Sequence, residues 1–301
     1  MTTYSKPPLN VDDQIKLLIS GGLVIKDQNF AKHILSNISY YRLSNYFYHY
    51  WEDKITHKFY SGVTLEDVVE VYNFDKEIRE VCFKAIEVIE ISMRAKLSLF
   101  LSQKYSSNWF CNENLAENKE NFNKIIGEIK DLSHNTKEQF VRDHFAKYKD
   151  EYLPSWKLME ITSLGLLSRI YGNIKSSLSE KKAIAKSLAL PNHLFLVGWL
   201  KSISNIRNIC AHHSRLWDKT LSTPIKIPHK LNKLWISQKT QINVKNNKLY
   251  IALCCIKYLL NNIEPNNVFA DDVVKIIEKY PNIDLAKMNF PEGWQEDKFW
   301  K

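Results

Sequence analysis

Residues 207–212 read Arg-Asn-Ile-Cys-Ala-His. Arg207 supplies a permanently charged, planar guanidinium that can fork onto phosphate oxygens. His212 supplies an imidazole that titrates near neutral pH and can act as general base or acid. Asn208 lies four residues before His212, on the same helix face, where its amide can set the orientation and tautomer of the ring. Such a set supports cleavage of RNA without a metal. The 2′-hydroxyl attacks, His212 moves a proton, Arg207 holds the charge growing on the phosphorus oxygens, and the product carries a 2′,3′-cyclic phosphate. The same residues admit a plainer role. His212, His213 and Arg215 can simply be positive groups at a helix C-terminus, where the dipole favours them, and spacing alone prefers this reading.

Arg207 and His212 are five residues apart, which is about 140° around an ideal helix. Both reach one phosphate only at a helix end, at a distortion, or where two subunits meet. A cleft formed by two copies of the helix in a homodimer meets that condition. The helix opens at Pro191-Asn192, and Leu196, Leu200, Ile203 and Cys210 share one face of it. Arg207 follows Leu200 by seven positions, about two turns, so its charge projects from the apolar stripe. An unpaired buried guanidinium is costly, so it must meet a carboxylate, a cleft or an anionic ligand.

The elements that position this segment are helical. Eight glycines and nine prolines punctuate 301 residues, and the stretches between them carry helical spacing rather than alternation. A first helix is expected over Val11 to Ser20, ending at Gly21-Gly22 with a left-handed cap, and a second from about Asn29. Residues 38–51 are unusually aromatic, and Lys54 to Gly62 reads as a short extended excursion. The clearest helix starts at Thr64, whose hydroxyl and Asp67 form a capping-box pattern, and continues to about Gln103. Its stripe is Val71, Phe74, Ile78, Cys82, Ala85, Ile89, Met93, Leu97 and Phe100. Glu90 and Arg94, four apart, can pair along its surface. Residues 108–150 are polar and read as a helical insertion on the main body. Trp156 to Asn173 is read as one helix, followed by helices at Ser179 to Leu188, Lys248 to Asn262 and Asp271 to Lys279.

Composition narrows the function class. Lys and Arg outnumber Asp and Glu by 42 to 33, a net charge of +9, which favours a polyanionic partner without requiring one. The five cysteines form no CxxC pair and no zinc spacing, so free thiols are expected, with Cys254 and Cys255 filling core. The opening residues lack a secretory pattern and no run is long enough to span a bilayer, so the expected setting is cytoplasmic, with no membrane partner. No phosphate-binding loop, dinucleotide fingerprint, Ser-His-Asp order or carboxylate cluster is present, so neither metal nor other cofactor is expected.

Residues 207–217, Arg-Asn-Ile-Cys-Ala-His-His-Ser-Arg-Leu-Trp, closely resemble the signature of the Abi-like (abortive infection, AbiD/AbiF) family of the HEPN superfamily. Further stretches resemble it in the same order: residues 38–46, 72–79 and 89–94, then 154–160 with Gly165. The likeness spans roughly residues 10 to 220 and matches Arg207, Asn208 and His212 position by position. Asp218 departs from the Asn expected after Trp217.

The resemblance implies an all-α, HEPN-like helical bundle over residues 1–230, carrying the polar helical insertion at 108–150. Residues 231–301 then form a small C-terminal helical appendage to which no function is carried over. It further implies a dimer with a composite RNase site, a role in phage defence or as a toxin, a possible antitoxin, and in some members a noncoding RNA partner. Tyr40, Tyr41 and Arg42 could stack on bases and bind phosphate, although core packing is the favoured role for at least one tyrosine. Glu90 and Glu160 are candidate carboxylates that hold Arg207 or Arg94 in place. Two other readings stay open: a non-catalytic protein that holds a cognate noncoding RNA, and a structural adaptor using the helix as a dimer interface.

Overall fold

The computed structural model describes residue 3 and residues 7–301. Its described residues are mostly helical, with one two-stranded sheet, so the chain is all-α. They divide into two compact units: the described part of Met1–Ile78 with Ile276–Ile283, and Arg79–Lys275 with Asp284–Lys301.

In the first unit, α1 (Val11–Ser20) begins where the Asn10 side chain accepts the Asp13 N–H at 2.9 Å. It ends at Gly21-Gly22, of which only Gly22 adopts a left-handed φ, +95°. Asp27 caps α2 (Gln28–Asn37) and Ser39 caps α3 (Tyr40–Phe47) in the same manner. The first part of the aromatic run is thus a helix, which buries Tyr46 and Phe47, and its last residue, Trp51, opens a strand. The Tyr46 hydroxyl lies 2.6 Å from Asp75 Oδ2, which it can reach as donor. A small hairpin of β1 (Trp51–Asp53) and β2 (Lys58–Phe59) follows.

Thr64 and Asp67 form the expected reciprocal cap, each side chain accepting the other's backbone N–H, at 3.2 and 2.8 Å. From it runs α4 (Leu65–Ser102), continuous from the first unit into the second. The expected stripe is buried from Val71 to Leu97, but its last member is Leu101 rather than Phe100, as a step of four from Leu97 dictates.

The second unit holds the rest. The polar segment contains α5 (Lys119–Asn135) and α6 (Gln139–Lys147). Residues 155–173 form two helices, α7 (Ser155–Ile161) and α8 (Leu164–Asn173), not one. The break has a physical cause. Thr162 Oγ1 donates back to the Leu158 carbonyl at 2.7 Å, and Ser163 Oγ accepts the Leu166 N–H at 3.3 Å to start a new helix.

Next come α9 (Ser179–Ser187), α10 (His193–Ala211), α11 (Gln238–Ile242) and α12 (Leu249–Ile263), with α13 (Phe269–Lys279) running from this unit into the first. α8 packs closely on α10, since a Cβ on Gly165 would stand 3.4 Å from Ser204 Oγ. α12 is buried from Leu249 through Leu260 and packs on α10. Cys254 and Cys255 are free, buried thiols of this core, and burial pushes both up in pKa. No helix among the described residues is long and apolar enough to cross a membrane.

Candidate functional site

The site is built on α10, whose start is set by Asn192 Oδ1 accepting the Leu194 N–H at 2.8 Å. Leu196, Trp199, Leu200, Ile203 and Ile206 are fully buried and fix the helix in the core. At its other end the His213 N–H donates to the Cys210 carbonyl at 3.0 Å and the Ser214 N–H to the Ile209 carbonyl at 2.9 Å. This is a Schellman ending, with His213 at φ +54° in the left-handed place that glycine usually takes. His212 is therefore the last residue before the chain turns, and it is exposed.

Arg207 sits at the border of core and solvent, its side chain one-third exposed at 33%. Its guanidinium lies 5.8 Å from the Phe83 ring centroid, and its Nε stands 3.8 Å from Glu90 Oε2. That separation is an ion pair but too long for a hydrogen bond, so the guanidinium donors remain unengaged among the described residues. Glu90, buried on α4, is shared. Its Oε1 accepts from Arg94 at 2.8 Å, and Arg94 also donates to the Thr162 carbonyl at 3.1 Å and stands 3.7 Å from Glu160 Oε2.

The chain of contacts thus runs Arg207, Glu90, Arg94, Glu160. Two arginines alternate with two carboxylates, so the cluster is charge-balanced, and Arg207 shares its one carboxylate with Arg94. Asn208 and His212 are both exposed, and neither side chain has a hydrogen-bond partner among the described residues. The bond between them is the backbone one, His212 N–H to the Asn208 carbonyl at 3.0 Å.

A family model described as Abi-like protein matches residues 33–218, well over half of the chain. The chain belongs to the Abi-like protein family. Membership points to a function of the abortive-infection type. A search of curated proteins finds no match, and neither does a search of solved structures. The matched span takes in α3 to α10 of this Abi-like chain and stops at Asp218. That residue adopts φ +50°, a conformation Asp and Asn tolerate better than most, and its Oδ1 meets Lys248 Nζ at 2.8 Å.

The remaining sequence-predicted residues fall in different places. His213 and Arg215 follow α10 directly, the first exposed and the second half-buried. Tyr40, Tyr41 and Arg42 open α3 and belong to the first unit, whereas Arg207 belongs to the second. Tyr40 packs edge-on to Phe47 with centroids 5.8 Å apart, whereas Tyr41 is 82% exposed. Two participants were not legible as site residues: Phe83 beneath Arg207 and the Thr162 carbonyl on Arg94. Phe83 had a usable signal, since it precedes Glu90 by seven positions on one helix, about two turns. No group of three or more His, Cys, Asp or Glu that could hold a metal occurs among the described residues.

Proposed function

We propose that this Abi-like chain is a metal-independent endoribonuclease of the HEPN type, serving phage defence by abortive infection or acting as an RNA-targeting toxin. The observation that carries the reading is the guanidinium of Arg207, which makes no hydrogen bond with the described residues, is steadied by Glu90 of α4, and stands on α10, the helix that ends at exposed His212. An arginine held this way can meet a phosphate without a large reorganisation.

The 2′-hydroxyl of the substrate gives its proton to an imidazole as its oxygen bonds to phosphorus. The bond from phosphorus to the 5′-oxygen then breaks, and that oxygen takes a proton from an imidazolium. The products are a 2′,3′-cyclic phosphate and a free 5′-hydroxyl. Arg207 stabilises the added negative charge between these events, and Asn208 orients the ring of His212.

Helical register separates Arg207 from His212 within one chain, so the working site combines two copies, with His212 of the partner subunit supplying the second imidazole. Phe83, the apolar group of α4 against Arg207, supports a dimer surface there. It is 40% exposed, on a helix whose other face is core. Tyr41 and Arg42 are proposed to contact RNA outside the reacting phosphate. An antitoxin or a cognate noncoding RNA would restrain the enzyme.

The test is cleavage of total cellular RNA in EDTA by purified wild type beside His212→Ala. The expected result is fragments with cyclic phosphate ends from wild type alone. The divergence of Arg207 and His212 within one copy also favours a second reading, a non-catalytic protein that holds a noncoding RNA. In that case neither protein cuts, both copurify with one discrete RNA, and His212→Ala weakens its retention.

A further inference from the structure

Beside α10 lies a groove of about 810 Å³, walled by α8 and α5. Its floor is one stripe of α10, from Val197 through Lys201, Ser204 and Asn205 to Asn208. At 1.5 Å per residue that stripe is about 16 Å long. The next step of four along it is His212. The groove therefore reaches the proposed site through Asn208, which belongs to both.

The chemistry of the lining is polar but not anionic in effect. Of its carboxylates, Glu128 is paired with Arg169 from the facing helix, and Glu117 accepts the Ser176 N–H at 2.8 Å. Lys201 is exposed and has no ion-pair partner among the described residues. The side-chain amides of Asn121 and Asn208 are likewise unengaged among the described residues. Asn205 donates to Ser222 Oγ at 3.2 Å and keeps its carbonyl oxygen as an acceptor. Gly165 and Gly172 line the groove where α8 packs on α10, a Cβ at each standing 3.4 Å from Ser204 Oγ and 3.7 Å from Val197 Cγ1. None of the described lining residues is aromatic.

A groove without aromatic rings offers bases no stacking platform, the usual source of sequence-tolerant single-strand affinity. What it offers are amides, which pair with base edges, and a free ammonium, which pairs with phosphate. Base edges of RNA are accessible in single strands and hidden in the deep groove of a duplex.

We infer that this groove is the subsite for a short stretch of single-stranded RNA adjoining the scissile phosphate, with Lys201 on a phosphate and Asn121 and Asn205 on base edges. Cleavage is consequently base-selective. The inference rests on the ribonuclease reading above.

The test uses the full chain carrying His212→Ala, so that binding is read without cutting. Short fluorescein-labelled oligoribonucleotides are titrated by fluorescence anisotropy: the four homopolymers and a hairpin duplex. Lys201→Glu and Asn121→Trp are each added to that background, and unchanged unfolding midpoints confirm folding. Both positions are exposed, so neither change disturbs core.

The expected result is tighter binding of single strands than of duplex, unequal affinities among homopolymers, and about tenfold weaker binding for each added variant. In otherwise wild-type protein, Lys201→Glu should raise KM more than it lowers kcat. Groove variants that bind as tightly as their parent, while wild type still cuts RNA, overturn the inference and leave the nuclease standing. Equal affinity for all homopolymers, or preference for duplex, overturns it too. Absence of both binding and cutting in the parent and wild type removes the nuclease reading and this inference with it.

Discussion

Glu90 and Glu180 are two carboxylates of the second unit with the same side-chain exposure, 10%, yet they do opposite things with their charge. Glu180 is closed off. Lys104 Nζ sits 2.5 Å away, and the Tyr105 and Ser179 hydroxyls donate to it at 2.9 Å each. Burial alone would raise its pKa, but hydrogen bonds from Lys104, its own backbone N–H, Ser179 and Tyr105 prevail and hold the carboxyl at about 2. Glu90 is divided between two arginines, one hydrogen-bonded and the other at 3.8 Å. Every donor around Glu180 is used on the protein itself, whereas Arg207 beside Glu90 keeps donors for something else. Saturation marks the structural pair, and incomplete pairing of a positioned cation marks the candidate site.

The sharpest way to break that comparison is Arg207→Lys. Charge is kept but the planar fork is lost, so RNA cleavage should fall about 10²–10³-fold, the range for removing a donor to a transition-state oxyanion. Stability should hardly move, because Arg207 makes no hydrogen bond with the described residues. Equal cleavage by wild type and variant in a fixed-time fragment assay would mean the guanidinium does no chemistry.

Next in size is Glu90→Gln. Its amide oxygen can still accept from Arg94, but the attraction that steadies Arg207 disappears, so cleavage should drop about tenfold with a loss of under about 2 kcal/mol in urea unfolding. A full loss of stability with unaltered kcat would place Glu90 beside Glu180 as a structural carboxylate.

How far this contrast could be read in the chain depends on whether an element declares itself locally. The starts of α4 and α10 did, because Thr64 with Asp67, and Asn192, are capping residues followed by a helical stripe. The pairing of Glu90 with Arg94 is a spacing of four and needs no tertiary knowledge. The break between α7 and α8 escaped because Thr162-Ser163 lies inside an apolar periodicity that continues across it. Side-chain competition for backbone bonds decides such a point, and hydrophobic spacing is blind to it. The same break frees the Thr162 carbonyl for Arg94, so a local miss hid part of the site. The groove was equally hidden. Its polar residues look like ordinary helix surface until α5, inside a segment read as a peripheral insertion, is seen to wall it.

Glu180→Gln is the control that should move only stability. Its carboxyl ionises at lower pH in the folded protein than in the unfolded chain, so its contribution is complete above the ordinary value near 4.5 and is lost as pH falls towards 2. Lys104 is 53% exposed, and solvent screening limits the expected cost at pH 7 to about 1–2 kcal/mol. Urea unfolding should show that gap narrowing steadily below pH 4.5, with RNA cleavage at pH 7 unchanged. A constant gap down to pH 3 would show that the ion pair is not its source.

The smallest effect is expected at Glu160, the outer end of the contact chain. Its side chain is 62% exposed and its Oε2 stands 3.7 Å from Arg94 Nη1, without a hydrogen bond. Exposed pairs of this geometry contribute under about 1 kcal/mol and are screened by salt. Arg94, meanwhile, is already held by Glu90 and the Thr162 carbonyl. Glu160→Gln should therefore leave cleavage within about twofold of wild type, with stability changed by less than about 0.5 kcal/mol. If instead cleavage collapses while the unfolding midpoint stays put, Glu160 acts on RNA or on a second copy of the chain. The line between used and available charge would then have to be drawn one residue further out than Arg207.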